Sequence, residues 1–547
     1  MQNAITEYNF ARRLRMAIQQ QEKNPPNFLN YAATKKLAKL AEHPFDLNQL
    51  IPERIAKFYG EACGFKLLYG TERITDDVMQ ALKELAQESH AIEKMERMQA
   101  GDVVNYITNH PSENRAALHT ATRDFFDHPN PAKAAQAATK EALQEIEKLK
   151  KFIASIGNRF NTLVMIGIGG SDLGPQANYF ALEQFLQPGR KVFFISNVDP
   201  DNAAAVLQQV DLKHTLVVVV SKSGKTLETH INEEFAREKF KTAGLDPKKS
   251  FVSVTTPGSP MDNPSDYLES FYVWEWVGGR YSTTSMVGGV MLAFAFGFDV
   301  FWEFLRGANA MDKVALKNDL KQNLPLLAAL LGIWNRNFLN YPTVALIPYS
   351  QVLKRYPAHI QQVAMESNGK LIDQAGNLVA FETGPVIWGE PGTNAQHSFF
   401  QLIHQGTSTI PVSMVGFKES QYQDDIVVEG TTSQEKLLSN LFAQSIALAT
   451  GQKSDNPNQY FPGNRPTNIL IGKRLTPYAL GALLAFYENL VDFQGFIWGI
   501  NSFDQEGVQL GKVLATKIID LFTNRKTENT STFPLGSAFL THLETLE

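Results

Sequence analysis

The sequence predicts an α/β fold: two doubly wound α/β/α units with mainly parallel sheets, a helical N-terminal region and a C-terminal arm. Three observations predict it. Short apolar runs rich in β-branched residues alternate with longer amphipathic stretches, the pattern of strands buried on both faces beneath helices. These runs fall into two successive series, separated by a long helical stretch near 303–340. The chain's 547 residues also exceed the roughly 250–300 at which a single hydrophobic core stops growing.

Taken in order, residues 1–125 carry charged and Ala/Leu-rich stretches such as Asp76 to Gly101, without strand alternation. They predict helices that form part of the large domain. Residues 131–155 predict a helix opened by Pro131. The first series is TLVMIGI (162–168), KVFFISN (191–197), TLVVVV (215–220) and SFVSVT (250–255), and it defines a small α/β domain over 126–300. The second is TVALIPY (343–349), GPVIWG (384–389), IPVSMVGF (410–417), TNILIG (467–472) and GFIWGI (495–500), and it defines a large α/β domain over 301–515. The polar stretch 451–468 reads as a surface loop. Residues 516–547, polar from Thr523 to Pro534, read as an arm.

Composition removes whole classes of function. Lys and Arg number 51 against 56 Asp and Glu, a formal charge of −5. Such a chain has no global attraction for nucleic acid or anionic membranes, so an anionic ligand needs a local positive site. The lone Cys63 rules out an internal disulfide framework and a Cys-based zinc cluster, and it fits a reducing, cytoplasmic compartment. The N-terminal MQNAITEYNFARRLRM lacks an apolar signal core. The longest apolar run, Met286 to Phe298, falls short of the about 20 residues needed to span a bilayer. The Asn529-Thr530-Ser531 sequon reads as a chance match in a polar stretch.

In open α/β sheets ligands bind at the carboxyl ends of strands. GIGGSDLGP (167–175) follows a strand, but Asp172 stands where a dinucleotide fingerprint needs its third glycine. What is left is a tight Gly-rich turn, including Gly170, that presents Ser171 and backbone N–H groups. SKSGKTLET (221–229) contains Gly-Lys-Thr, but Val219 occupies the position of the first P-loop glycine. Ser221, Ser223 and Thr226 still place hydroxyls ahead of a helix predicted over Thr226 to Phe240. Free N–H groups and the dipole at such a helix start favour an anion, and Lys222 or Lys225 would add charge. The plainer alternative is an N-capping Ser/Thr cluster. Three further segments gather ionisable groups among glycines: WVGGRYSTTSMVGG (276–289) with Arg280, QQVAMESNGK (361–370) with Glu366 at the start of a turn, and WGEPGTNAQHSFFQLIHQGT (388–407). In the last, Thr393 would cap a helix with His397 in its first turn and His404 on the same face. Each has a structural alternative as a surface pair, a cap or a core residue. H-E-x-x-H and His/carboxylate triads do not occur, so no metal site is read.

These strings, together with NHPSENRAALH (109–119), FPGNRPTN (461–468) and FDQEGVQLGK (503–512), closely resemble the phosphoglucose isomerase family, in its long bacterial and eukaryotic type with a sugar-isomerase (SIS) fold. The resemblance implies interconversion of glucose 6-phosphate and fructose 6-phosphate, in glycolysis and gluconeogenesis, without a cofactor or metal. It implies Glu366 as the base that carries a proton between C2 and C1, Arg280 as the partner of the cis-enediol(ate), and His397 and Lys512 in ring opening. Ser171, Ser221, Lys222, Ser223 and Thr226 match the phosphate site, beside Gly170. Gln362, Glu228 and Gln505 match other substrate contacts. A homodimer is implied, with His397 completing the neighbouring subunit's site. Two departures stand out. The family's phosphate loop often reads S-K-T-F-T-T, where this chain has Ser223, Gly224 and Lys225, so Gly224 is expected to loosen the loop. Gln509 replaces a usual Glu. A sugar-phosphate sensor would need only the hydroxyl loop, not Glu366, Arg280, His397 and Lys512 together, and a P-loop kinase is disfavoured at Val219.

Overall fold

The computed structural model describes residues 27–525 and 533–546. The N-terminal segment read for a signal core, the sequon at 529–531 and part of the polar tail lie outside them. The described chain forms two compact units, one running to Ser502 and one from Phe503. Among the described residues no helix is long and apolar enough to cross a membrane.

Among the described residues the first unit holds two large sheets and two small ones of two strands each. The N-terminal region contributes helices and also a hairpin, β1 (Tyr59–Ala62) and β2 (Phe65–Leu68). The sequence reading missed these strands because each has only four residues. The helix Lys133–Ile156, α1, follows as expected. Next come β3 (Thr162–Ile166), the helix Leu173–Ala181 (α2), β4 (Lys191–Ile195), β5 (Thr215–Val220), the helix Leu227–Thr242 (α3), β6 (Phe251–Thr255) and β7 (Glu269–Tyr272). All pairings in this sheet are parallel, in the order β4-β3-β5-β6-β7. Every residue of β3 and β5 is buried, as expected for strands covered on both faces. The short β7 was not anticipated.

The apolar stretch beyond β7 forms α4 (Met286–Phe296), buried on all sides, as a helix apolar all round should be. Helices α5 (Phe298–Val314) and α6 (Leu324–Ile333) complete the predicted helical stretch. The second sheet is built from β8 (Thr343–Pro348), β9 (Val386–Trp388), β10 (Val412–Phe417) and β11 (Thr467–Gly472), which pair in parallel; β2 then adds antiparallel to β11. Its order, β1-β2-β11-β10-β8-β9, repeats that of the first sheet: the first strand lies between the second and the third. GFIWGI does not form a strand. Residues 495–498 end the 22-residue helix Pro477–Trp498, here α7, which is closed by a left-handed Gly499. Gly495 is a buried helix position and Gly499 the helix cap. The second unit is built mainly from the helices Gln509–Arg525 and Pro534–Glu544.

Glu72, directly after the hairpin, is fully buried. Its two carboxyl oxygens accept hydrogen bonds from Asn335 Nδ2 (3.0 Å) and Asn468 Nδ2 (2.8 Å), fastening the N-terminal hairpin to β11. Burial pushes its pKa from 4.5 up to about 7, against the pull of both amides and Arg54. A raised carboxyl pKa gives stability that is present below the unfolded value and lost as pH rises through the folded one. Glu72→Gln should therefore gain on the wild type between about pH 4.5 and 7 in thermal melts. A melting difference independent of pH would contradict this.

Candidate active site

Both sheets have a topological switch at their first strand, and in the first sheet it lies between β3 and β5. Chain segments diverge there and leave a crevice at the carboxyl ends. The two hydroxyl- and glycine-rich loops found in the sequence leave those two strands. After β3, Gly169–Ser171 forms a tight 3-10 turn leading into α2. After β5, Ser221 to Thr226 leads into α3, with Thr226 at the N-cap. The Thr226 hydroxyl makes no capping bond and pairs instead with Ser221 Oγ at 2.9 Å. The backbone donors of the first turn of α3 thus remain available for an anion. Ser223 is exposed, and its Oγ accepts from the Lys225 amide. Glu228 stands in the first turn of α3, half-buried.

Gly224 corrects an expectation. It does not slacken the loop: its φ of +63° is a left-handed turn closed by its amide bonding to the Ser221 carbonyl at 3.0 Å. A side chain there would stand 3.0 Å from Ser259 Oγ. Glycine fits both demands, so this loop is braced against the one after β6. Lys222 Nζ donates to the Val277 carbonyl and pairs with Glu275, both at 3.3 Å. Burial and the nearby Arg115 lower its pKa, while Glu275 opposes them.

Val277 leads directly to Arg280, which is 1% exposed. The first turn lies against this segment: a side chain at Gly170 would collide with the Gly279 carbonyl, so the close approach requires glycine. Next to it, a Cβ at Gly169 would stand 3.3 Å from Gln362 Nε2. Gln362 to Glu366 form a single π-helical turn at the end of the helix Tyr356–Gln361; such turns occur frequently at functional sites. Arg280 NH1 lies 3.2 Å from Glu366 Oε2, and Gln362 Nε2 donates to the same oxygen at 3.3 Å. Glu366 keeps 25% side-chain exposure, so it faces the crevice with its back to a buried cation. Gly170, Arg280, Gln362 and Glu366 come together from three distant segments.

The structure places His397 differently from the sequence reading. It follows the short helix Gly392–Gln396 as its C-cap, and His404 lies on a separate helix, Phe400–Gln405. Thr393 is inside the first of these helices and does not cap it. His397 is exposed, and among the described residues its imidazole makes no hydrogen bond or ion pair. Gln505 and Lys512 belong to the second unit, Lys512 exposed near the start of Gln509–Arg525.

Sequence reasoning missed several residues around Arg280. Its Nε donates to Ser367 Oγ at 2.6 Å and its NH2 to the Ser502 carbonyl. Tyr281 joins Ser367 to Asp492, and His119 stands beside Asp492. A signal was present: Glu488 and Asp492 are acids four residues apart inside an apolar helix, and acids in such a setting need partners. Among the described residues no group of three or more His, Cys, Asp or Glu is placed to hold a metal. The structure thus brings the Glu366 carboxylate onto the Arg280 guanidinium and sets the Gly170 turn against the segment that carries Arg280.

Comparison with known proteins adds to this geometry. Residues 68–535 match the family model described as "Phosphoglucose isomerase". The glucose-6-phosphate isomerase of Protochlamydia amoebophila is 65% identical over 534 residues, covering 97% of this chain and 99% of that protein. That of Chlamydia caviae is 52% identical over 508 residues, covering 92% and 96%. The crystal structure of a glucose-6-phosphate isomerase from Chlamydia trachomatis superposes with a TM-score of 0.92 at 49% identity, covering 95% of this chain and all of the other. With the family model matching residues 68–535 and relatives matching over nearly the whole length, this chain belongs to the phosphoglucose isomerase family.

Proposed function

We propose that this protein interconverts glucose 6-phosphate and fructose 6-phosphate by ring opening and proton transfer through a cis-enediol(ate), serving glycolysis and gluconeogenesis in the cytoplasm. The observation that carries the reading is the 3.2 Å contact between Arg280 NH1 and a partly exposed Glu366, at the crevice where the hydroxyl loop ends. In the open-chain aldose, Glu366 takes the proton from C2. The electron pair forms the C1=C2 bond, and charge moves to O1. Arg280 stabilises that charge in a buried setting, where a fixed donor is worth far more than in water. The O2 proton then passes to O1 and Glu366 returns its proton to C1, so the C1=C2 pair becomes the new C1–H bond as C2=O forms, giving the ketose.

Ser171, Ser221, Lys222, Ser223 and Thr226, beside Gly170, grip the phosphate. Binding energy at that remote group holds the sugar in register with Glu366. Gln362, Glu228 and Gln505 contact the sugar. Ring opening falls to His397 and Lys512, histidine being the side chain most often used to give and take protons. The exposed His397 suits service to a second copy's site, and we take the working form as a homodimer. We also take 126–300 and 301–515 as the small and large sugar-isomerase domains, with 1–125 belonging to the large one and 516–547 as an arm.

The test is a coupled assay in which fructose 6-phosphate is supplied and formation of glucose 6-phosphate is followed without added metal. Steady turnover is expected, and its absence would refute the reading. Ser223→Ala is expected to raise KM more than it lowers kcat, because it removes a grip common to ground and transition states. A defect confined to kcat would show that the loop does something other than hold phosphate.

A further inference from the structure

Arg280 is held from behind by a chain of hydroxyls. Each hydroxyl has one proton to give, so the direction of the chain is fixed. The Tyr281 hydroxyl donates to Asp492 Oδ1 at 2.7 Å, so at 3.0 Å from Ser367 Oγ it accepts the serine's proton. Ser367 Oγ is then free to accept from Arg280 Nε at 2.6 Å. The chain therefore runs one way, from the guanidinium through two hydroxyls to a carboxyl. At its far end, Asp492 Oδ2 lies 3.6 Å from His119 Nε2, and the His119 ring stacks on Tyr281 with centroids 4.5 Å apart. Ser367, Tyr281, Asp492 and His119 are each at most 1% exposed.

We infer that Ser367 and Tyr281, backed by Asp492 and His119, are positioning residues that hold the Arg280 guanidinium in place while Glu366 leaves it. This rests on the isomerase reading, in which Glu366 must leave Arg280 to meet a carbon-bound proton. Of the contacts described, NH1 faces Glu366, NH2 is tied to the Ser502 carbonyl, and Nε is tied to the chain. Without the chain, Nε loses its anchor and the guanidinium can tilt with the carboxylate or away from the developing enediolate. Hydrogen bonds from a charged donor are the strong kind, and linked ones polarise each other. Burial raises the Asp492 pKa well above the usual carboxylate range. It also lowers that of His119, with Arg123 and Arg280 adding to the effect.

The test is a kinetic cycle. Tyr281→Phe and Ser367→Ala should each lower kcat about tenfold, through loss of one link in a charge-assisted chain. KM should stay within about twofold, because the loss is felt in the transition state. In an Arg280→Ala background neither change should lower kcat further, since there is no guanidinium left to hold. Ser367→Ala leaves the Tyr281–Asp492 bond in place, so it carries the test if Tyr281→Phe does not fold. An unchanged kcat, or the same tenfold loss with and without Arg280, would overturn the inference. Wild-type turnover is measured first: its absence refutes the isomerase reading and this inference with it, whereas a failed cycle in an active enzyme refutes the positioning role alone.

Discussion

Glu366→Gln should bind fructose 6-phosphate nearly as the parent does while isomerising it roughly 10²–10⁴-fold more slowly, the factor general acid–base groups supply. The amide keeps the size of the side chain, and its oxygen can still accept from Arg280 and Gln362, which meet Glu366 Oε2 at 3.2 and 3.3 Å. The pocket should therefore keep its shape. What the amide lacks is affinity for a proton at neutral pH. Two measurements check this. Calorimetric titration should give an affinity close to that of the parent. Exchange of the C2 hydrogen of glucose 6-phosphate with deuterated solvent should disappear together with turnover. Continued exchange would mean that another group removes the proton, and the assignment of Glu366 would fall.

Arg123→Met should lower the stability of the fold by about 3–5 kcal/mol, the usual penalty for removing one partner from a buried ion pair. Arg123 is fully buried, with Nε 2.7 Å from Asp312 Oδ2 and NH1 2.6 Å from Glu488 Oε2. It pins α5 and α7 to the turn His119–Arg123. Burial works against the arginine's charge, but the two acids outweigh it and raise its pKa above the ordinary value. Burial also raises Glu488 from 4.5 to about 7, against the pull of Arg123. With the cation gone, the two carboxyl groups would be buried without compensation, and protonation would be their cheapest relief. The deficit in denaturant midpoint should accordingly shrink as pH falls. A companion variant, Arg123→Met with Asp312→Leu and Glu488→Leu, should recover most of the loss, as apolar replacements of buried ionic triads do. A deficit below about 1 kcal/mol would place the cluster among solvated surface pairs instead.

How much could be read from the sequence depended on how locally each feature is encoded. Strands β3, β5, β8 and β10 were legible because a strand covered on both faces must be a short apolar run, and such runs are visible without alignment. GFIWGI misled because α7 is buried almost all round, so its last turn has the same composition as a buried strand. The hairpin β1–β2 was hidden by its brevity. The site followed the same rule. Ser171, Ser221 and Thr226 were singled out by their place after two strands, and the structure puts those loops at the switch point. Arg280 and Glu366 were singled out as ionisable groups among glycines, but their 3.2 Å contact left no local trace. Asp492 and His119 were missed: Asp492 meets Tyr281 across 211 positions, and pairing over that distance leaves no local trace. Gly224 was misjudged because the space beside it is limited by Ser259, on a different loop.

The π-helical turn that carries Gln362 and Glu366 bears on how the chain tolerates a change in length. Such a turn accommodates more backbone than an α turn, and a segment shortened by one residue has an ordinary helical path to relax onto. Removing Ala364 would close the turn to an α one and move Glu366 relative to the guanidinium, although every charged residue of the segment is still present. Homologues and designed variants should therefore vary in identity along this segment far more readily than in residue count.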